Sequence, residues 1–212
     1  MSDEITLNFE KPGGGTLGIT ARPSMMHPEQ CAFQTTEPVY ENHSAFFSSR
    51  ERGQGSPLID GLFALDPVTE VLVNHDVVKV TLRDGEAWDD WVARVGAVLR
   101  DVIVSGVPPI AAIVAQSQLP PDELRRRVQS ILDDSINPAV SAHGGYVEIL
   151  DVSNNTVFLE FGGGCQGCGM INVTLKYGVE KAIREEIPEV GEILDTTDHA
   201  AGRNPYYAPA SK

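Results

Sequence analysis

The stretch VFLEFGGGCQGCGMINVTLKYGVEKAIREEIP, residues 157–188, runs from an apolar segment through a glycine-rich loop into a helical pattern. TVFLEFG, 156–162, is rich in β-branched and aromatic residues and reads as a strand. From 169 to 187, Ile171, Leu175, Val179 and Ile183 recur at helical spacing, and Pro188 ends the pattern. Between them lies GGGCQGCGM, 162–170, which holds Cys165 and Cys168. Working outward, YVEILDV, 146–152, is a second strand, separated from the first by Ser153, Asn154 and Asn155, a hairpin signal. Upstream, Asp122 and Glu123 open a helix on the favourable side of its dipole. Leu124, Val128, Ile131, Leu132 and Ile136 form its apolar face, Pro138 predicts a kink, and Gly144-Gly145 stop it. Downstream, EVGEILD, 189–195, is a last strand. The predicted order is α-β-β-α-β, with the CxxC loop between a strand and a helix.

The first half reads as a separate α+β unit. EITLNF, 4–9, and TLGITAR, 16–22, are short strands around the turn KPGGG. QCAFQTTEPVY, 30–40, is another strand, ending near Pro38. SPLIDGLFAL, 56–65, has Ser56 as a cap, Pro57 at the first helical position, and leucines 58, 62 and 65 on one face. VTEVLVN and DVVKVTLRD, 68–74 and 76–84, predict a hairpin around Asn74 and His75. EAWDDWVARVGAVLRDVIVSG, 86–106, carries Trp88, Trp91, Val92, Val95, Val98, Leu99 and Val102 as a helical stripe. The fold class expected is α+β in two small domains. The first spans 1–106, with 1–18 as an N-terminal extension. A proline-flanked linker follows at 107–121, then the second domain at 122–198 and a tail at 199–212.

Composition narrows the function. A net charge of −14 disfavours nucleic acid, whose binding requires a basic face. No stretch approaches the roughly 20 apolar residues of a membrane span. The N-terminus MSDEITLNFE is acidic and lacks a signal-peptide core, so the expected location is cytoplasmic. The three cysteines, Cys31, Cys165 and Cys168, do not make a disulfide framework; they read as a site plus a bystander. Cys31 falls in a strand pattern and reads as a small buried residue.

A CxxC pair serves three chemistries. As a redox dithiol, it would sit after a strand and before a helix, as it does here, with Cys165 as nucleophile. The three preceding glycines leave it unwalled, however. As a structural zinc site it needs two more local ligands. Only His143, before the hairpin, and His199, in the tail, are within reach, and each reads as a surface or packing histidine. As an iron–sulfur site it needs four thiolates for a cubane cluster, of which one chain has two. A symmetric dimer with facing loops supplies all four. The glycines leave room for a bulky ligand and let backbone N–H groups approach sulfur. This third chemistry accounts for the most residues. Nothing resembles a nucleophile with an adjacent base, so turnover catalysis is not expected.

INPAVSAHGGYVEIL, 136–150, resembles the helix end, His-Gly-Gly turn and first strand of the Nfu family, iron–sulfur carriers or scaffolds that share the NifU C-terminal domain. Residues 157–190, including TLKYGVE at 174–180, resemble that family's strand, CxxC and helix, so the likeness spans 122–198. ITARPSMMHPEQCAFQTTEPVY, 19–40, and SPLIDGLFALDPVTEVLVNHDVVKVTL, 56–82, resemble its N-terminal domain less closely. Residues 1–18 are additional, and that domain's Phe-Pro-Gly stretch is absent. The resemblance implies a [4Fe-4S] cluster, one per homodimer, held by Cys165 and Cys168 of each subunit. It implies partners too: assembly donors that load the cluster and apo-proteins that receive it. His143 matches a motif position that is not a ligand in the family and reads as structural.

Overall fold

The computed structural model describes residues 4–142, 144–163 and 169–196, with the backbone alone over 169–174. His143, Cys165, Cys168, His199 and the tail lie outside the described residues. The chain is mixed α+β and divides into two compact units, Met1–Gln118 and Leu119–Lys212. Among the described residues no helix is long and apolar enough to cross a membrane.

The first unit is a six-stranded antiparallel sheet in the order β1-β2-β3-β6-β5-β4. Its strands are β1 Ile5–Glu10, β2 Thr16–Pro23, β3 Gln30–Thr35, β4 Tyr40–Phe47, β5 Val68–His75 and β6 Val77–Leu82. Strict alternation in β2, β3 and β6 turns Leu17, Ile19, Phe33, Val78 and Val80 to one face. Helices α1 Pro57–Phe63 and α2 Val92–Ser105 cover that face with Leu58, Leu62, Val95 and Leu99.

Three features differ from the sequence expectation. The predicted strand at 30–40 is two strands: β3 ends at Thr35, and β4 begins at Tyr40 on the far edge of the sheet. β4 escaped the pattern because a bulge between Tyr40 and Ser44, with Asn42 at φ 54, exposes three consecutive residues and destroys the alternation. The helix predicted from 86 starts at Val92. A 3-10 turn, Trp88–Asp90, precedes it, and the Trp91 indole N–H donates to Glu86 at 3.1 Å. Residues 110–118, within the segment read as a linker, are folded onto this unit. Ile110 and Val114 are buried in its core, with Val114 carried on α3 Ala112–Ser117. The Ala111 N–H donates to Ser56 Oγ at 2.9 Å, and the Gln118 amide donates to the Ser44 carbonyl of β4 at 2.8 Å.

The second unit starts with α4 Pro121–Ile131, one π-helical turn Leu132–Ile136, and α5 Asn137–Ser141. Pro138 has no N–H for the residue 134 carbonyl, and the helix widens over the turn before it. Strands β7 Gly145–Ser153 and β8 Thr156–Gly163 form an antiparallel hairpin. Its loop is two residues, Asn154 and Asn155, at φ 52 and φ 59. Left-handed conformation at both central residues makes it a type I′ turn, for which asparagine is well suited. Helix α6 Gly169–Glu186 then leads to β9 Ile193–Asp195, which pairs parallel to β8. The core gathers Leu124, Val128 and Leu132 from the first helix, Val147, Leu159 and Phe161 from the sheet, and Val179 and Ile183 from α6.

Candidate functional site

The CxxC segment falls in sequence between the end of β8 and the start of α6, and both flanks are described. On the helix side, Gly169 is the first residue of an 18-residue helix. The free N–H groups and positive dipole end of such a helix favour anionic sulfur immediately before it. Lys176 ties this end of the helix to the sheet. Its ammonium pairs with the Asp195 carboxylate of β9 and lies 5.9 Å from the Phe161 ring centroid of β8.

On the strand side the last two cross-strand pairs are Tyr146↔Gly162 and Gly145↔Gly163. A Cβ on Gly162 would fall inside the phenol end of the Tyr146 ring. Gly163 sits at φ 65, where a side chain is strained, and a Cβ there would collide with the Gly144 carbonyl oxygen. The strand thus enters the loop as bare backbone, packed on Tyr146 and on the Gly144 turn. Among the described residues no group of three or more His, Cys, Asp or Glu side chains could hold a metal.

Sequence reasoning missed Asn137. Its Oδ1 accepts from the Val147 N–H at 2.8 Å and its Nδ2 donates to the Val147 carbonyl at 3.0 Å. The side-chain amide therefore pairs with edge strand β7 as a neighbouring strand would, one residue from Tyr146. The only signal was an asparagine ahead of a proline, which also fits an ordinary turn. Asn137→Ala leaves both Val147 groups without these partners. It should cost about 2 kcal/mol in urea unfolding and speed exchange of the Val147 amide hydrogen. Unchanged exchange would show that the side chain does not hold β7.

The bystander cysteine is where its strand pattern put it. Cys31 lies in β3 with 0% exposure, in the core of the other unit. Burial pushes its thiol up from 9.0 to about 12, against a weaker opposing backbone N–H of Arg22. The folded state therefore keeps a proton that the unfolded chain releases above its ordinary value. Stability falls as pH rises through that window, with a slope approaching 1.4 kcal/mol per pH unit, roughly. Cys31→Ala should leave iron and sulfide content unchanged and cost on the order of 1 kcal/mol at neutral pH. That cost should shrink above the ordinary thiol value, as read by urea unfolding at stepped pH. A halved iron content would place Cys31 in the site.

Residues 128–194 match the NifU-like domain, and residues 24–106 match the domain described as scaffold protein Nfu/NifU N terminal. The protein Fe/S biogenesis protein NfuA of Pseudomonas aeruginosa is 39% identical over 138 residues, covering 60% of this chain and 70% of the relative. The protein of the same name from Azotobacter vinelandii is 47% identical over 85 residues, covering 40% of this chain and 44% of the relative. The crystal structure of protein SAV1430 from Staphylococcus aureus is 14% identical, with a TM-score of 0.30, over 34% of this chain and 84% of its own. With both domains matched in order, and 70% of a relative's length aligned at 39% identity, this chain belongs to the Nfu family of iron–sulfur biogenesis proteins.

Proposed function

We propose that this protein carries an iron–sulfur cluster as cargo, a [4Fe-4S] cubane bound between two subunits, and hands it to apo-proteins. Cys165 and Cys168 of each subunit are the proposed ligands, four thiolates in all. The observation that carries the reading is the junction of β8, the CxxC segment and α6. Its strand arm ends in Gly162 and Gly163, packed against Tyr146 and the Gly144 carbonyl, and its helix arm begins at Gly169, so that in sequence the two cysteines fall just before a positive dipole end. The relatives' name, Fe/S biogenesis protein, supports it. In the proposed division of the chain, 122–198 is the cargo domain. The unit before it, by elimination, meets donors or clients.

Release proceeds by ligand exchange. Each client thiol gives up its proton and forms an Fe–S bond, while the Fe–S bond to Cys165 or Cys168 breaks and the departing thiolate takes a proton. Electrons and iron oxidation states are unchanged, so the chain transfers its cargo without turnover chemistry.

The test is anaerobic transfer. Cluster-loaded protein is mixed with an apo-enzyme that needs a cubane, with a ferrous chelator present. Activity of the recipient should recover despite the chelator. Recovery only in the chelator's absence would mean free iron and sulfide do the work. Metal-free turnover of a disulfide would replace the carrier reading with a thiol-disulfide oxidoreductase that uses Cys165 as nucleophile.

A further inference from the structure

We propose that Tyr146 is a positioning residue of the cluster loop, its ring clamping the Gly162 end of β8 from which the CxxC segment departs; this rests on the carrier reading above. Tyr146 is 45% exposed, while its neighbour Val147 is buried in the core. Alternation along β7 therefore sends the tyrosine to the sheet face away from the helices. On that face the ring does not fill the core. It lies across the glycine directly opposite in register, and the atoms nearest the missing Cβ are those at its hydroxyl end.

An aromatic ring laid over a cross-strand glycine supplies the packing that glycine lacks and shields its backbone from water. Two successive glycines are otherwise the freest point in a strand. Here they are also the last two residues before the loop. Asn137 fixes β7 on its other edge at Val147, so the clamp is itself held by two hydrogen bonds, of 2.8 and 3.0 Å. Ligand positions set by such a support tolerate displacements of only about 0.5 Å. Cζ and Cε1 of the ring are the two atoms nearest the missing Cβ, with the hydroxyl oxygen third, and phenylalanine keeps both carbons, so it preserves the clamp.

Four full-length variants test it, each reconstituted anaerobically: Tyr146→Ala, Tyr146→Phe, Gly162→Ala and the Tyr146→Ala/Gly162→Ala double. The readouts are iron and sulfide content, the rate of cluster loss to a ferrous chelator, the visible circular dichroism of the cluster, and urea unfolding of the metal-free protein. Tyr146→Ala should keep wild-type iron content but lose the cluster at least about tenfold faster, with altered dichroism. Tyr146→Phe should match wild type in rate and dichroism. Gly162→Ala should behave like Tyr146→Ala, because the new methyl group displaces the ring. The double variant should be no worse than either single, because without the ring the methyl group has room. In the metal-free protein Gly162→Ala should destabilise more with Tyr146 present than without it. Wild-type loss rate and dichroism in Tyr146→Ala, or additive effects in the double, would overturn the clamp. A wild-type protein that takes up no iron and sulfide would overturn instead the carrier reading beneath it.

Discussion

Replacing Cys165 or Cys168 with serine should abolish stable cluster binding, from about four irons per two chains to near none. A hydroxyl at neutral pH is neither deprotonated nor soft enough to replace a thiolate on iron. In the proposed shared site, one substitution per chain removes two of the four ligands. Folding should be nearly indifferent. In sequence the cysteines fall among glycines and outside the apolar stripes of β8 and α6, so their replacement is expected to open no core cavity. Urea unfolding of the metal-free variants should stay within about 0.5 kcal/mol of wild type. A variant with full iron content and an unchanged spectrum would remove that cysteine from the ligand set. A large loss of stability would assign it to the core.

Gly163→Ala should be the most damaging single methyl group in the second unit. Two independent costs coincide there. At φ 65 an L side chain is strained by on the order of 1–2 kcal/mol. The Cβ also meets the Gly144 carbonyl oxygen, a backbone atom that no rotamer change can move aside. The pair Gly145↔Gly163 must then separate, which frees the last rung of the β7–β8 ladder. The combined effect should be about 3 kcal/mol in the metal-free protein. Cluster retention should fall with it, since the loop loses its anchored strand. Gly178→Ala is the matched control. It lies in α6 with nothing within 4 Å of the added Cβ, so it should stabilise by up to about 1 kcal/mol through helix propensity. Equal effects at the two positions would show that the Gly163 geometry is unimportant.

How much of this was legible depends on how local each interaction is. Asn154 and Asn155 announced the β7–β8 turn because asparagine tolerates the left-handed conformation that a two-residue turn demands. The stripe of Val179 and Ile183 announced the buried face of α6 because helical period is a local property. The ligand-site reading of Cys165 and Cys168 rests on residue type and spacing, since both lie outside the described residues. β4 was illegible, since its bulge at Asn42 erased the alternation by which strands are found. The roles of Tyr146 and Asn137 were equally hidden. A tyrosine earns no notice until the register sets it against Gly162, and an asparagine none until the helix sets its amide beside Val147. Both depend on pairings ten or more residues apart in sequence, which no local pattern encodes.

Anaerobic sedimentation of the metal-free and the iron–sulfide-reconstituted protein, at matched concentration and without small thiols, tests the central claim most directly. Each chain offers half of the proposed ligands, so cluster binding and association are linked, and the loaded species must be the heavier one. The expected result is about four irons and four sulfides per two chains, sedimenting at twice the chain mass, with association lost when the cluster is removed. A single chain sedimenting alone with a full complement of iron and sulfide would contradict it.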